Sequence, residues 1–521
     1  MKNTRNFVLL SILYLAITAF APYSAQAAEP GLIINEDNSH FFTTRTAEEM
    51  TLEGLHAFVD QYAGTKVSHL FLSPNSMKAS FASTTREAIW ELGGQQMPEG
   101  LGKQWMDNAR LLHERGFDPY AVWITRCREK GIVPWLSMRM NDIHDVPDIT
   151  SYMHSTFWLN HPEFWRVPND KSGGWTVRAL DFGHPEVREY AMSFVRELLE
   201  RYDPDGLELD WMRFGWHFKA GEEAQGAEIL TDFVREVRDL TLEWSVKRGH
   251  PIKLGVRVPA HPDAAKGLGM DGVRWAREGL IDMLVPCPFW TSSDFDIPVE
   301  LWKERIGESA KNVVIAPGLE HNTRGWPGGG HIANDLAATA GFAASAWQRE
   351  ADQIYLFNYM DSQTRPVTVD EYRVILDSGL QRDFVYATPR RHIQAYRDTV
   401  PAGFDAGVVL PAETGAPATF KLHTGPKPVD RQVVFIAGLS QRDGVSDAAF
   451  AATVNGVACE NLPGLDNPAQ FPGAVRAIQF SCPPEAMRDG YNQFVVEQTS
   501  GVAQQIVWAE ARVDGREKDL P

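Results

Sequence analysis

Cysteine is scarce in this sequence, and basic residues are in the minority. The 521 residues include 4 cysteines, which form no Cys-x-x-Cys pair of the kind that would predict a structural zinc site. Cys459 and Cys482 could pair in an oxidising compartment, although their spacing alone does not establish it. The 68 acidic residues outnumber the 50 basic ones, giving a formal net charge of −18. This balance disfavours nucleic acid as a partner, because phosphate binding needs a basic surface.

Long apolar runs are missing after residue 27, so no membrane span is expected in the rest of the chain. The first 27 residues have the pattern of a secretory signal peptide. Lys2 and Arg5 precede an apolar run, and Ala25-Gln26-Ala27 supplies the small residues of a cleavage site. We therefore expect residues 1–27 to be a signal peptide and the protein to be secreted or periplasmic.

A glycine-rich phosphate loop is also absent after the first predicted strand, where Asn35-Glu36-Asp37-Asn38 stands instead. The chain alternates strand and helix patterns eight times, which predicts an α/β fold with a (β/α)8 TIM barrel over residues 28–395. The predicted strands are Leu32 to Asp37, Val67 to Ser73, Ile132 to Met140, Gly206 to Arg213, Ile252 to Val258, Ile281 to Pro286, Val313 to Gly318 and Gln353 to Tyr359. The clearest predicted helices are Pro185 to Tyr202, Ala227 to Lys247 and Ile332 to Ala351.

The sequence pattern changes after about residue 396. Short alternating apolar runs, such as Gln432 to Ile436 and Val475 to Phe480, are separated by Gly, Pro, Asn and Asp turns. This pattern predicts an antiparallel β-sandwich over residues 396–521. Such a sandwich either binds glycans or only packs on the barrel, and both alternatives stay open.

The fourth predicted strand carries two carboxylates on one face. In Asp205-Gly206-Leu207-Glu208-Leu209-Asp210-Trp211, Glu208 and Asp210 share a face because strand side chains alternate with a period of two. A buried carboxylate needs a partner charge, a metal or a catalytic task, because an unpaired buried charge is strongly destabilising. The motif therefore predicts either a catalytic site or a structural ion pair.

Polar residues also follow most of the other predicted strands, at the end of the barrel where such folds build active sites. We expect the following residues to bind substrate: Asn35, Asp37, Asn75, Arg139, Asn141, Trp211, Arg213, Arg257, Trp290, His321, Asn358 and Tyr359. Glu320 stands at the end of the seventh strand, across the barrel from Asp210. Two carboxylates facing one another across a sugar are the usual requirement for glycoside hydrolysis.

We predict that Asp210 acts as nucleophile or base and that Glu320 donates the proton, with Glu208 as a further catalytic candidate. The reverse assignment stays open, as does a structural ion pair between Glu320 and Arg324. A metal-dependent barrel of the amidohydrolase type would need a His-x-His pair on its first strand, which this sequence lacks. We therefore expect no metal and no cofactor, and a carbohydrate as the partner. The sequence does not predict an oligomeric state.

The fourth-strand motif resembles that of TIM-barrel glycoside hydrolases. It is similar to the Asp-Gly-x-Asp-x-Asp-x-Glu signature of family 18 chitinases, but Glu208 replaces an Asp and Met212 stands where the catalytic acid should be. It also resembles the same strand of retaining α-glycosidases of the amylase, α-galactosidase and α-fucosidase groups. That resemblance implies Asp210 as the nucleophile.

Over a longer stretch, from Ile33 to Tyr359, the chain looks like secreted proteins described as glycosyl-hydrolase-10-like. The matching blocks include Pro134-Trp135-Leu136-Ser137-Met138-Arg139 and Gly318-Leu319-Glu320. The Asn-Glu pair that true family 10 xylanases carry on strand four is absent. The resemblance implies a secreted glycoside hydrolase with a TIM barrel.

Arginine and tryptophan suggest what the substrate is. Arg139, Arg213 and Arg257 end three consecutive predicted strands, where they would either hold the acids in place or recognise a sulfated or uronic sugar. The chain has 16 Trp, of which we expect two to four to stack on sugar rings. A non-catalytic glycan-binding protein and a polysaccharide lyase are the alternative functions.

Overall fold

The structure is a computed structural model that describes residues 31–289, 291–361 and 367–514. The predicted signal peptide, residues 1–27, and Trp290 lie outside the described residues. Within the described ranges, no helix combines the length and the apolar character needed to cross a membrane.

The first part of the chain forms a parallel sheet covered by helices. The strands of this sheet are β1 (Leu32–Glu36), β2 (Val67–Leu72), β3 (Val133–Arg139), β4 (Gly206–Asp210), β5 (Lys253–Val258), β6 (Met283–Pro286), β7 (Val314–Ile315), β8 (Gly318–Glu320) and β11 (Ile354–Phe357). A separate short hairpin consists of β9 (Asn322–Arg324) and β10 (His331–Ala333). The α-helices are α1 (His40–Thr44), α2 (Leu52–Asp60), α3 (Gly100–Glu114), α4 (Pro119–Glu129), α5 (Thr156–Asn160), α6 (Pro185–Arg201), α7 (Glu223–Arg248), α8 (Pro262–Gly267), α9 (Gly272–Arg277), α10 (Val299–Ile306), α11 (Leu336–Gln348), α12 (Val369–Ser378) and α13 (Arg382–Ala387).

The barrel closes through a broken seventh strand. β7 pairs with β6, whereas β8 pairs with β11, and β11 in turn pairs with β1. Ala316 and Pro317 separate the two halves, because proline has no N–H to donate to a continuous ladder. The predicted Val313 to Gly318 strand is therefore two elements, and the (β/α)8 barrel is confirmed.

An apolar plug fills the amino-terminal half of the barrel interior. Trp135 is fully buried there and stacks on Phe71, with ring centroids 4.8 Å apart. Gly206 leaves room for this indole, since a Cβ at Gly206 would lie 2.3 Å from the Trp135 ring. The inward-pointing polar side chains lie beyond this plug, toward the carboxyl ends of the strands.

The C-terminal region consists of two antiparallel sheets, which confirms the predicted sandwich. Its strands are β12 (Arg390–Ile393), β13 (Ala412–Glu413), β14 (Ala418–His423), β15 (Val433–Leu439), β16 (Ala449–Val454), β17 (Val457–Ala458), β18 (Glu460–Leu462), β19 (Arg476–Cys482), β20 (Tyr491–Ser500) and β21 (Gln505–Val513). One sheet has the order β12-β21-β15-β19-β18, with β13 also on β21, and the other has the order β14-β20-β16-β17. The domain boundary after residue 395 stays a prediction, although β12 precedes it and already belongs to the sandwich sheet that contains β21 and β15.

Helix α11 of the barrel packs closely on β12 of the sandwich. A Cβ at Gly341 would lie 2.0 Å from the Arg391 carbonyl oxygen, so only glycine permits this approach. Arg391 pairs with Glu510 of the sandwich and with Asp335 at the start of α11. Cys459 and Cys482 of the sandwich are free thiols with their Sγ atoms 3.1 Å apart, and their pairing stays a prediction.

Candidate active site

Asp210 is the last residue of β4, and its carboxylate is tied to the backbone and to an arginine. Oδ1 accepts hydrogen bonds from the amides of Met212 and Arg213, at 3.0 and 2.9 Å. This turn ends the strand three residues before the predicted end at Arg213. Arg257 donates Nε–H to Oδ1 and Nη2–H to Oδ2, each at 2.8 Å. The buried pair is bidentate, and Oδ2 accepts from no further residue in the described ranges.

Glu208 lies one inward position deeper on the same strand. Its Oε2 accepts hydrogen bonds from Ser137 at 2.5 Å and from Tyr355 at 3.1 Å. Its Oε1 is buried and has no hydrogen-bond partner within the described ranges. Burial, together with the neighbouring Asp210, raises the pKa of Glu208 to about 8. The raised pKa favours the protonated form of Glu208, which is a poor nucleophile.

We expect Glu208→Gln to make the free energy of unfolding less dependent on pH. The native carboxyl keeps its proton up to about pH 8, whereas the ordinary value is 4.5. Because the unfolded state binds fewer protons between these values, the native state loses stability as pH rises through this window, by on the order of 4 kcal/mol. Urea unfolding from about pH 5 to about pH 8 measures the slope. Glu308→Gln, at an exposed position, is the matched control, and parallel profiles of wild type and Glu208→Gln would contradict the assignment.

Glu320 ends β8, on another wall of the barrel. Its side chain is fully buried, and neither carboxyl oxygen accepts an aligned hydrogen bond from the residues that the structure describes. His321 Nδ1 forms an ion pair with Glu320 Oε1, and Glu320 raises the pKa of His321 against the opposing effect of burial. Arg324, the alternative partner, instead donates to the carbonyl oxygens of Thr291 and Gly329.

Cys287 and Arg257 lie between the two acids. Arg257 Nη1 is 3.5 Å from Cys287 Sγ, and its guanidinium lies 3.8 Å from the centre of the Phe357 ring. Burial raises the pKa of the Cys287 thiol to about 12, and both Glu320 and Asp210 act on it in the same direction. The thiol is thus within electrostatic range of both carboxylates.

The arginines at the barrel mouth form a network with acids. Arg139 pairs with Asp37 through Nη2 and with Asp142 through Nη1, the latter at 3.2 Å. Burial opposes ionisation of Asp37, but Arg139 and Arg213 hold its pKa well below the usual value. Arg213 Nη2 lies 3.3 Å from His144 Nε2, while its buried Nε and Nη1 have no hydrogen-bond partner in the described part of the chain. Arg213 therefore has donors to offer to a ligand.

Four predicted substrate-binding residues have structural contacts instead. Asn75 exchanges hydrogen bonds with the Arg139 backbone, and Asn141 joins the loops at Leu180 and Trp216. Trp211 is fully buried in the core between barrel and helices, where it contacts Phe182, His217 and Phe233. Tyr359 is buried in the same core and donates to the Asn334 carbonyl at 2.6 Å. A ring enclosed in this way cannot stack on a sugar.

The remaining predicted residues are close to the mouth or just beneath it. Asn35 points into the barrel and donates to Ser137 at 3.2 Å. Asn358 directly follows β11 in a left-handed conformation, with φ of 56°, and its Oδ1 has no hydrogen-bond partner among the residues described. Trp175, between α5 and α6, is 41 % exposed and lines an open groove of about 480 Å³ with Tyr152.

Several site residues were not predicted from the sequence. Ser137 and Tyr355, which hold Glu208, are inward positions on β3 and β11 that the period-two rule could have identified. Asp142 and His144 lie on the loop after β3, where no periodicity applies. Within the described ranges, no group of three or more His, Cys, Asp or Glu side chains could hold a metal ion.

No family model matches this chain. Among curated proteins, it is similar to glycosyl hydrolase DigH from Escherichia coli strain CFT073 and from strain K12. The identities are 18% and 19% over 256 residues, covering 40% of this chain and 56% of each relative. The chain therefore matches just over half the length of these relatives.

Three solved structures are among those to which the chain is similar. An α-L-fucosidase isoenzyme 1 from Paenibacillus thiaminolyticus has 12% identity and a TM-score of 0.33, with 90% of this chain and 96% of the other covered. Isoenzyme 2 has 12% identity and a TM-score of 0.40, over 69% of this chain and 49% of the other. A β-L-arabinopyranosidase from Geobacillus stearothermophilus has 10% identity and a TM-score of 0.37, over 91% of this chain and 98% of the other.

Proposed function

We propose that this chain is a secreted glycoside hydrolase that cleaves a poly- or oligosaccharide at the barrel mouth. The observation that carries the proposal is Glu320, a fully buried carboxyl whose Oε1 pairs with His321 and whose Oε2 has no hydrogen-bond partner among the described residues. Such an arrangement is destabilising for a purely structural residue. It leaves the carboxyl available to a ligand. The name of the curated relatives, glycosyl hydrolase, supports the same reaction class.

The proposed mechanism uses two carboxyl groups. Glu320 donates a proton to the leaving oxygen, and Asp210 acts through Oδ2 as nucleophile or base. Oδ1 is excluded from that role because three donors, the amides of Met212 and Arg213 and the Nε–H of Arg257, occupy it. Glu208 lies one inward position deeper, where Ser137 and Tyr355 hold it, and takes no direct part.

Two other functions make different predictions for the same residues. A non-catalytic glycan-binding protein would bind oligosaccharides without turnover, and Asp210→Asn would not change its affinity. A polysaccharide lyase would release an unsaturated product that absorbs ultraviolet light, with His321 as its candidate base. Incubation with oligosaccharides, followed by chromatography and absorbance, separates the three functions: new reducing ends without ultraviolet absorption support hydrolysis.

We further propose that the substrate carries sulfate or uronate groups. Arg213 supports this, because its planar fork matches such anions and two of its buried nitrogens have no acceptor within the described ranges. Trp175, exposed beside the ring of Phe214, would supply a stacking surface at the groove next to the mouth.

We expect Arg213→Gln to lower kcat/KM on a sulfated or uronic oligosaccharide by roughly 10–100-fold, the effect of losing a charged hydrogen bond. A neutral oligosaccharide of the same length should be affected about twofold or less. Arg442→Gln, which removes an arginine of the sandwich paired with Glu413, is the control. A wild-type enzyme that prefers the neutral substrate would end the anionic part of the proposal and leave the hydrolase part standing.

A further inference from the structure

A second cavity lies where the barrel meets the sandwich. Its volume is about 220 Å³, and its walls come from the loop after β6, from β12 and from the strands β14 and β20. The rim residues Thr419 and Lys421 are exposed, so the cavity opens to solvent. Clefts for drug-sized ligands measure roughly 300–1,000 Å³, so this cavity suits a single small ring.

Buried polar atoms in the walls of this seam cavity make no aligned hydrogen bond within the described residues. His392 Nε2 and Gln394 Oε1 are such atoms, whereas Asp294 Oδ2 has the ion pair with Arg397. Other atoms anchor two of these side chains: Asp294 Oδ1 accepts from the Asp296 amide at 2.8 Å, and Gln394 Nε2 donates to the Ala395 carbonyl at 2.9 Å. The free atoms are therefore held in place, and unsatisfied buried polar atoms call for a ligand or ordered water.

The charges around the cavity are largely balanced within the protein. Asp294 Oδ2 lies 3.2 Å from Arg397 Nε, and Asp296 pairs with Arg349. Tyr491 donates to Asp296 at 2.6 Å, and its ring lies 4.0 Å from the Lys421 ammonium. Because these acids are already paired with arginines, the cavity offers donors and acceptors rather than an excess of one charge. A neutral ligand with several hydroxyl groups satisfies both kinds of atom.

We propose that this seam cavity binds one neutral sugar residue of a glycan, as a site separate from the barrel mouth. Sugar hydroxyl groups both donate and accept, so they match His392 and Gln394, while the C–H face of the ring packs on Tyr396. The choice of a sugar among neutral polar ligands rests on the proposed function. Such a site would hold a substrate chain on the enzyme between cleavage events.

Isothermal titration calorimetry on the full chain tests the proposal, with cellotetraose, xylotetraose and maltotetraose as neutral probes. The Glu320→Gln background prevents turnover during the measurement. We expect at least one probe to bind, and Gln394→Leu or Lys421→Ala to weaken that binding by roughly 5–10-fold, as expected for one lost hydrogen bond. Lys427→Ala, on the sandwich but outside the cavity, should bind as the parent does.

The outcomes separate this site from the proposed function. If the wild type hydrolyses a glycan but neither Gln394→Leu nor Lys421→Ala weakens any binding, the seam site alone is overturned. If these two variants weaken binding but the wild type cleaves no glycan, the result supports the seam site and removes the hydrolase proposal. Binding weakened by Arg213→Gln but unchanged in Gln394→Leu assigns the probe to the mouth and also overturns the seam site.

Discussion

Glu320→Gln is expected to lower kcat by roughly 10²–10⁴-fold, the range for loss of a general acid. The carboxamide has nearly the shape of the carboxyl, but it cannot transfer a proton to a leaving oxygen. The substitution also removes the negative charge that pairs with His321, so a decrease in the free energy of unfolding is expected beside the loss of kcat. Steady-state kinetics and urea unfolding measure the two quantities.

The identity of the leaving group provides the control for this prediction. An aryl glycoside with an acidic phenol as leaving group needs little protonation, so Glu320→Gln should retain most of its activity on that substrate. An alkyl or sugar leaving group should show the full loss. An equal loss on both substrates would mean that Glu320 positions the substrate rather than donating a proton, and unchanged activity would remove it from the mechanism.

The fold was predictable because its periodicities are regular. Strand and helix patterns alternate from β1 to β11, and the apolar strands identified the barrel. The period-two rule also placed Glu208 and Asp210 on one inward face, as the structure shows. Apart from the break at Pro317, the predicted strands differ from the observed ones mainly at their ends.

Those ends explain why two aromatic residues lie in the core. The sequence pattern places Trp211 and Tyr359 at the mouth, but β4 ends at Asp210 and β11 ends at Phe357. After each end the chain turns, through the Asp210 side chain in one case and the left-handed Asn358 in the other, and the ring enters the outer core. Turn geometry of this kind depends on side-chain hydrogen bonds, which the apolar pattern does not encode.

The partners of the arginines were not predictable from strand position. In the sheet register, Arg139 and Arg257 both stand opposite Asp210 on the neighbouring strands. Only Arg257 binds Asp210, because Arg139 turns to Asp37 and Asp142, the second of which lies on a loop. Strand order gives candidates for an ion pair, whereas the loops that cover the barrel decide among them.

Asp210→Asn should abolish detectable turnover and also lower the free energy of unfolding. The substitution removes the only negative charge that pairs with Arg257 among the described residues, and the Arg257 side chain is fully buried. Breaking a buried ion pair by removing one partner destabilises by about 3–5 kcal/mol. Loss of activity in this single variant would therefore reflect either missing chemistry or a weakened barrel.

The double variant Asp210→Asn, Arg257→Met separates these two causes. Replacing both members of a buried pair by uncharged groups is often close to neutral, so much of the lost stability should return. Activity should not return, because the Oδ2 carboxylate that the mechanism needs is still absent. Urea unfolding and turnover of the wild type, both single variants and the double variant give the coupling between the two sites. Recovery of activity together with stability would show that Asp210 is structural, and the second carboxylate would then have to be sought among Asp37 and Asp142, which face the same mouth through Arg139.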